Sequence, residues 1–342
     1  MKKVRFGKTE LMVSEMAFGA IPIQRLSTED AIAVVRGVID MGVNFIDTAN
    51  GYSDSEEKIG LAIKNIPRDS IIIASKSGAR DKKGFLEHLD LSLKRMGTDY
   101  VDIYQHHGIS TAEACNQVFA EDGAYEGMKE AIKAGKIRFP AFSSHSIPVA
   151  IELMKTGKFD VTQLPFNYID NEAAKEAIPL AKKLDIGFIA MKPFGGGLLS
   201  DAKLTIKYLR QFDSIVPDPG IETLAEMEEI IRIMDVGEPF TEADAAAIEL
   251  VKKEMGSTWC HRCEYCMPCP QKIGISMVLN LDSMIKRMPY SKVSDMMGPG
   301  MDNARTCTEC KACVSRCPYD LDIPGLVKER VQRWDRYLVD RV

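Results

Sequence analysis

Apolar residues follow two rhythms along this chain. Short runs that are apolar on both faces recur at 16–19 (MAFG), 43–49 (VNFIDTA), 70–76 (SIIIASK) and 99–107 (DYVDIYQHH). They continue at 137–144 (IRFPAFSS), 161–166 (VTQLPF), 186–194 (IGFIAMKPF) and 214–217 (SIVP). Between them, segments such as EDAIAVVRGVIDMG, EHLDLSLKRMG and NEAAKEAIPLAKKLD return an apolar residue about every 3.6 positions, the helical period. Runs apolar on both sides suit parallel strands covered by helices on each face. A hairpin-like opening (VRFG, then LMVSEMAFG) precedes eight strand–helix units. That count predicts an α/β chain closed as a (β/α)8 barrel, with an open doubly wound sheet as the competing arrangement.

Beyond residue 236 the alternation stops, which predicts a barrel over 1–236 and a smaller helical domain over 237–342. TEADAAAIELVKKEMG reads as a helix entering that domain. CPQKIGI (269–275) and CPYDLDI (317–323) form an internal repeat. A helix is expected after each, around MVLNLDSMIKRM and GLVKERVQRWDRYL. A hydrophobic content of 45% and a charged content of 27% are ordinary for a globular protein. The net charge of −5 argues against nucleic acid or an anionic membrane as partner. No stretch is long and apolar enough to span a bilayer, and MKKVRFGKTELMV lacks the apolar run of a signal peptide. A cytoplasmic location is therefore expected, where clustered cysteines serve as metal or cluster ligands rather than disulfides.

Eight of the nine cysteines stand in that second domain. Cys260, Cys263 and Cys266 are spaced by two residues and followed by Cys269-Pro270; Cys307, Cys310 and Cys313 repeat this before Cys317-Pro318. Two zinc sites are the competing use, but zinc motifs pair C-x2-C with a second such pair or with histidines. Three thiolates at two-residue intervals reach three corners of an iron–sulfur cube. The pattern resembles the bacterial two-cluster ferredoxins, in the variant with a long helical insert. That resemblance implies two [4Fe–4S] clusters with crossed ligation: Cys260, Cys263, Cys266 and Cys317 on one, Cys307, Cys310, Cys313 and Cys269 on the other. The first motif has two residues before its fourth cysteine where the ferredoxin run has three. Cys115 lies outside both sets and is expected to be a loop thiol, and His261 a neighbour rather than a ligand.

Four polar residues stand at the carboxyl ends of successive strands, where barrel enzymes keep their chemistry: Asp47, Tyr52 just beyond it, Lys76 and His107. Each alone has a structural explanation as a cap, a packing ring or a solvated charge. Together with F-I-D-T-A-x-x-Y, A-S-K, L-K-R-M-G-T-D-Y-V-D-I-Y-Q-x-H, F-S-S-H, Q-L-P-F-N and K-P-F-G-G-G, they resemble the aldo/keto reductase family over residues 1–235. The resemblance implies hydride transfer between a nicotinamide nucleotide and a carbonyl or alcohol. Tyr52 would be the general acid, Lys76 would lower its pKa, Asp47 would hold Lys76, and His107 would orient the substrate oxygen. His106 and His107 face opposite ways in a strand, so one alone lines the site.

The same resemblance implies cofactor contacts from Ser143, Ser144 and Gln163 to the nicotinamide carboxamide. Met191 stands where a tyrosine usually stacks on the ring, beside Lys192. In PDPGIETLAEMEEI, Gly220 and Glu226 stand where family members preferring NADPH place Lys and Arg, and a 2′-phosphate would meet Glu222 or Glu226, so the expected cofactor is NAD(H) or NADP(H), with NADH favoured. The long 108–123 connection is expected to shape the substrate pocket. Phe119 and Tyr125 read chiefly as packing residues, and GGG at 195–197 as a turn or a phosphate contact. The leading reading is an oxidoreductase on a small carbonyl or alcohol, whose clusters exchange electrons with a redox partner protein. The competing readings are structural clusters, or a nucleotide-binding electron-transfer or sensing protein with little turnover.

Overall fold

The computed structural model of the chain describes residues 1–340. It divides into two compact units, Met1–Pro239 and Phe240–Val342. In the first, β1 (Lys3–Arg5) and β2 (Met12–Ser14) form an antiparallel hairpin. Eight parallel strands follow: β3 (Phe18–Gly19), β4 (Phe45–Asp47), β5 (Ile72–Ser77), β6 (Val101–His106), β7 (Ile137–Ser143), β8 (Val161–Pro165), β9 (Gly187–Met191) and β10 (Val216–Asp218). They pair in chain order, and a parallel bridge between Gly19 and Gly220 joins first to last. The closed barrel expected from the rhythm of the sequence is what forms.

Its helices follow from their caps and stripes. In Lys82–Met96 the Asp81 side chain accepts from Gly84 N at 2.8 Å, and Gly97 ends the helix at φ 63°. Phe85, Leu89, Leu93 and Met96, three or four apart, are buried in the shell between sheet and helices. A second apolar cluster fills the barrel: Ala17 just before β3, then Phe45, Ala74, Ile103, Ala141, Val161, Ile189 and Val216, one from each of the other seven strands. Phe6 of the hairpin belongs to it and lies so close to Gly187 that a Cβ there would sit 2.7 Å from its ring. The hairpin thus plugs the amino-terminal end of the barrel.

Because strand side chains alternate, the position two residues beyond each of those eight apolar residues points to the same side. These positions are Gly19, Asp47, Lys76, Gln105, Ser143, Gln163, Met191 and Asp218. An apolar floor therefore carries a largely polar layer at the carboxyl ends of the strands. The 108–123 connection, expected as a loop, contains a helix, Ala112–Val118, capped by Thr111, and Cys115 lies on it. The seven residues AEACNQV give too short a pattern to separate from a loop.

The second unit is helical: Glu242–Met255, Ile275–Leu279, Leu281–Arg287, Tyr290–Ala304 and Ile323–Val339. The helix expected around 277–288 is thus two, broken at Asn280. Ile273, Ile275, Val278, Leu281, Val293, Met297, Met301, Leu326, Val327 and Trp334 form its core. Among the described residues, no helix is long and apolar enough to cross a membrane.

Candidate active site and cysteine sites

Asp47 and Lys76 are 3% and 2% exposed, on adjacent strands of the polar layer. Lys76 Nζ donates to Asp47 Oδ2 at 2.5 Å and to Thr48 O at 2.7 Å. Burial pulls the Lys76 ammonium down, but Asp47, Tyr52 and Asp218 outweigh it and leave the pKa raised. The group is therefore a fixed cation. Gln105 Nε2 holds Asp47 Oδ1 at 3.3 Å, and Gln163 Nε2 lies 3.2 Å from Asp47 Oδ2 and 3.1 Å from Asp218 Oδ2.

Tyr52 sits on a segment that continues the β5 ladder. Thr48 N donates to Ala74 O and Asn50 N to Lys76 O. Thr48 Oγ1 then meets Ser55 Oγ at 2.9 Å, and Asn50 Nδ2 donates to His88 O at 3.2 Å. This pinning sets the Tyr52 ring 5.3 Å from Lys76 Nζ and edge-on to His107, centroids 5.8 Å apart. Surrounding protein, then the cations Lys76, Arg80 and Lys192, push His107 down to about 3. Its imidazole is neutral near pH 7 and offers an N–H to an oxygen rather than a charge.

His106 points the other way, among Phe85, Tyr125 and Phe159. Phe119 and Tyr125 stack in that same outer shell, centroids 5.2 Å apart. Both ring nitrogens of His106 are buried without a hydrogen bond, and burial pushes its pKa from 6.5 down to about 3. The folded form binds fewer protons than the unfolded chain between those values, so stability falls as pH drops from about 6.5 to about 3. His106→Phe is expected to remove that loss, on the order of 3–5 kcal/mol at the acid end. Parallel acid-unfolding curves for wild type and variant, measured by circular dichroism, are the contrary result.

Of the residues expected to hold the nicotinamide, Ser143 Oγ accepts from Gly108 N at 2.9 Å. Ser144 Oγ accepts from Ser146 N at 3.0 Å. Both serines thereby fix the rim, and the Gln163 amide nitrogen is spent on carboxylates while its Oε1 is buried without a partner. Lys192, at φ 59°, places Nζ 2.6 Å from His145 Nε2. Gly195 N and Gly197 N close turns onto Lys192 O and Phe194 O, so the glycine run is a turn. Glu226 Oε2 accepts from Glu222 N and Thr223 N at 2.7 and 2.9 Å, capping Leu224–Val236. The sequence segment lacked a cation, but folding brings Arg25 to Glu222 Oε2 at 3.4 Å. Gln105, Asp218, His145 and Arg25 were not singled out in the sequence. The two-residue step from each interior apolar position was a signal for the first two.

In the second unit, Cys269, Cys307, Cys310 and Cys313 line one cavity with Ile273, Ile323 and Val327. Burial, then Cys269 and Cys307, raise the Cys313 thiol. Burial raises Cys260, with Cys263 and Cys317 adding to it. Burial, then Cys260 and Cys263, push Cys266 up to about 12, and Cys313 adds to it. His261 stacks on Tyr319, centroids 3.8 Å apart, which ties the first motif to the end of the second. The backbone repeats too: Arg262 and Glu264 flank Cys263, as Glu309 and Lys311 flank Cys310, all four at φ between 53° and 62°. Lys272 and Asp320, three residues after Cys269 and Cys317, add two more at 56° and 52°. Among the described residues no three His, Cys, Asp or Glu side chains converge on a single-ion position. Four thiols spread around a cavity suit a cube gripped at its corners.

Barrel, polar layer and cysteine repeat together define an oxidoreductase that carries an iron–sulfur domain. Residues 15–236 match the aldo/keto reductase family, and residues 259–322 match a 4Fe-4S dicluster domain. The chain belongs to the aldo/keto reductase family. Over 220 residues it is 30% identical to an uncharacterized oxidoreductase of Bacillus subtilis, covering 60% of this chain and 68% of that protein. Over 229 residues it is 28% identical to an NADH-specific methylglyoxal reductase of Escherichia coli, covering 58% and 69%. The holo form of an aldo-keto reductase from Bacillus halodurans superposes with a TM-score of 0.64 at 24% identity, over 73% of this chain and 96% of that one.

Proposed function

We propose that this chain reduces a small carbonyl compound, or oxidises the corresponding alcohol, with NADH, and that two [4Fe–4S] clusters in residues 237–342 pass electrons to or from a redox partner. The observation that carries the catalytic half is one arrangement: a buried ammonium 2.5 Å from Asp47 and 5.3 Å from the Tyr52 ring, with neutral His107 against that ring.

A bound nicotinamide would supply the hydride. The unpartnered Gln163 Oε1 is a buried acceptor suited to its carboxamide, which supports the fit. Tyr52 then gives its proton to the oxygen on which charge grows. Lys76 favours the phenolate left behind. Asp47, pinned by Gln105 and Gln163, fixes Lys76 and balances its charge, and His107 donates to the substrate oxygen and sets its direction. Cys260, Cys263, Cys266 and Cys317 would hold one cluster, and Cys307, Cys310, Cys313 and Cys269 the other. Four of the eight lining one cavity, drawn from both motifs, supports that crossed assignment.

Preference for NADH is supported by the Glu226 carboxylate, which already occupies the backbone N–H groups of Glu222 and Thr223. A 2′-phosphate there would face two carboxylates, with Arg25 committed to one of them. In oxygen-free titrations NADH is expected to bind at least about tenfold more tightly than NADPH, and to reduce members of a carbonyl panel. NADPH binding more tightly sinks the cofactor assignment. Tight NADH binding without turnover of any carbonyl or alcohol favours the electron-transfer reading.

A further inference from the structure

The polar layer holds a second carboxyl group that the chemistry given to Asp47, Tyr52, Lys76 and His107 leaves unused. Asp218 ends β10 and is 7% exposed. Gln163 Nε2 donates to Asp218 Oδ2 at 3.1 Å and to Asp47 Oδ2 at 3.2 Å, so one amide bridges the two carboxyl groups. Its other oxygen, Oδ1, is buried and accepts no hydrogen bond from the protein. Gly19, across the barrel closure, makes the room: a Cβ there would stand 2.8 Å from Oδ1.

We propose that Asp218 is a positioning residue that holds a proton shared with Asp47, so that the two carboxyl groups present one negative charge, not two, to the Lys76 ammonium.

The argument is one of charge balance in a dry place. The groups facing Asp218 are Asp47 on β4 and Lys76 on β5, together with the uncharged Gln163 on β8. Two ionised carboxylates against one ammonium leave a net buried charge, and Oδ1 has no donor to offset it. Two carboxyls that share a site lose this penalty when one proton stays on the pair. Burial, then Asp47, push the Asp218 carboxyl well above the ordinary carboxylate range, against the pull of Lys76 and Gln163. One shared proton leaves Lys76 and the pair neutral overall. The ammonium field at the Tyr52 ring is then the field of a single, balanced ion pair. The benefit to Tyr52 rests on the function proposed above; the shared proton does not.

The test uses full-length, cluster-loaded protein handled without oxygen. Asp218→Asn keeps the shape of a neutral carboxyl and removes its proton. Infrared difference spectra of wild type against Asp218→Asn at about pH 7 are expected to show the carbonyl stretch of a protonated carboxylic acid, lost in the variant. A group whose folded pKa is raised binds more protons folded than unfolded, so it makes stability fall as pH rises above the ordinary carboxylate range. The wild-type Tm is therefore expected to decline relative to Asp218→Asn between about pH 5 and pH 8. Absence of the band, or Tm curves that run parallel, overturns the proposal. Should Asp218→Asn fail to fold, the wild-type spectrum decides: a neutral-carboxyl band at about pH 7 supports the shared proton and its absence refutes it. Neither readout needs turnover. A protein that reduces no carbonyl would therefore sink the proposed function and leave this inference standing, and a missing band would do the reverse.

Discussion

Tyr52→Phe is expected to lower kcat/KM for carbonyl reduction by about a thousandfold, while NADH affinity stays within about twofold. The variant keeps the ring that packs edge-on against His107 and removes only the oxygen that carries the proton. Nucleotide binding draws on other residues, so it should not move. Lys76→Met is expected to do more harm. It abolishes the same activity and also leaves Asp47 buried, beside Asp218, with no counter-charge. Stranding a buried charge costs about 3–5 kcal/mol. Steady-state rates, nucleotide titration and thermal unfolding separate the two variants. A Tyr52→Phe protein of undiminished activity removes the phenol from the mechanism.

Stripping the iron, by chelation under reducing conditions, is expected to unravel 260–270 and 307–320 while the barrel keeps its fold. Six residues with side chains are held in the left-handed region around the cysteines. Each costs on the order of 1 kcal/mol or more, and they persist where the surroundings over-determine them. A cluster gripped by four thiolates is such a surrounding, and its binding energy is folding energy. Limited proteolysis read by mass spectrometry checks this: cuts should concentrate in the two motif segments of the iron-free protein. Identical protection with and without iron would mean that the helical core of Ile275, Val278, Met297 and Leu326 holds the loops by itself.

Much of this was legible in the residues because it rests on local periodicity. Eight strands fell within a few residues of the runs that predicted them, since strands buried on both faces must be apolar throughout. Tyr52, Lys76, Asp47 and His107 were picked out as candidates by standing at or just beyond strand ends within motifs that resemble the aldo/keto reductases. Asp218 was not. It lies between two prolines in VPDPG, which reads as a turn, and its meaning comes from Asp47 and Gln163 on distant strands. Arg25 was hidden for the same reason, as its partner Glu222 is far along the chain. The helix at Ala112–Val118 escaped because seven residues complete barely two turns of pattern.

The ring of parallel ladders has one thin link. β3 contributes two residues, and its junction with the last strand is a single bridge at Gly19 and Gly220 with a few backbone bonds around it. Local opening is cheapest where the fewest bonds must part. Asp218 sits at that join, so bulk water would reach its carboxyl first through momentary parting of the two end staves. Exchange of a buried proton with solvent would then keep time with the breathing of the barrel wall, not with traffic through its mouth.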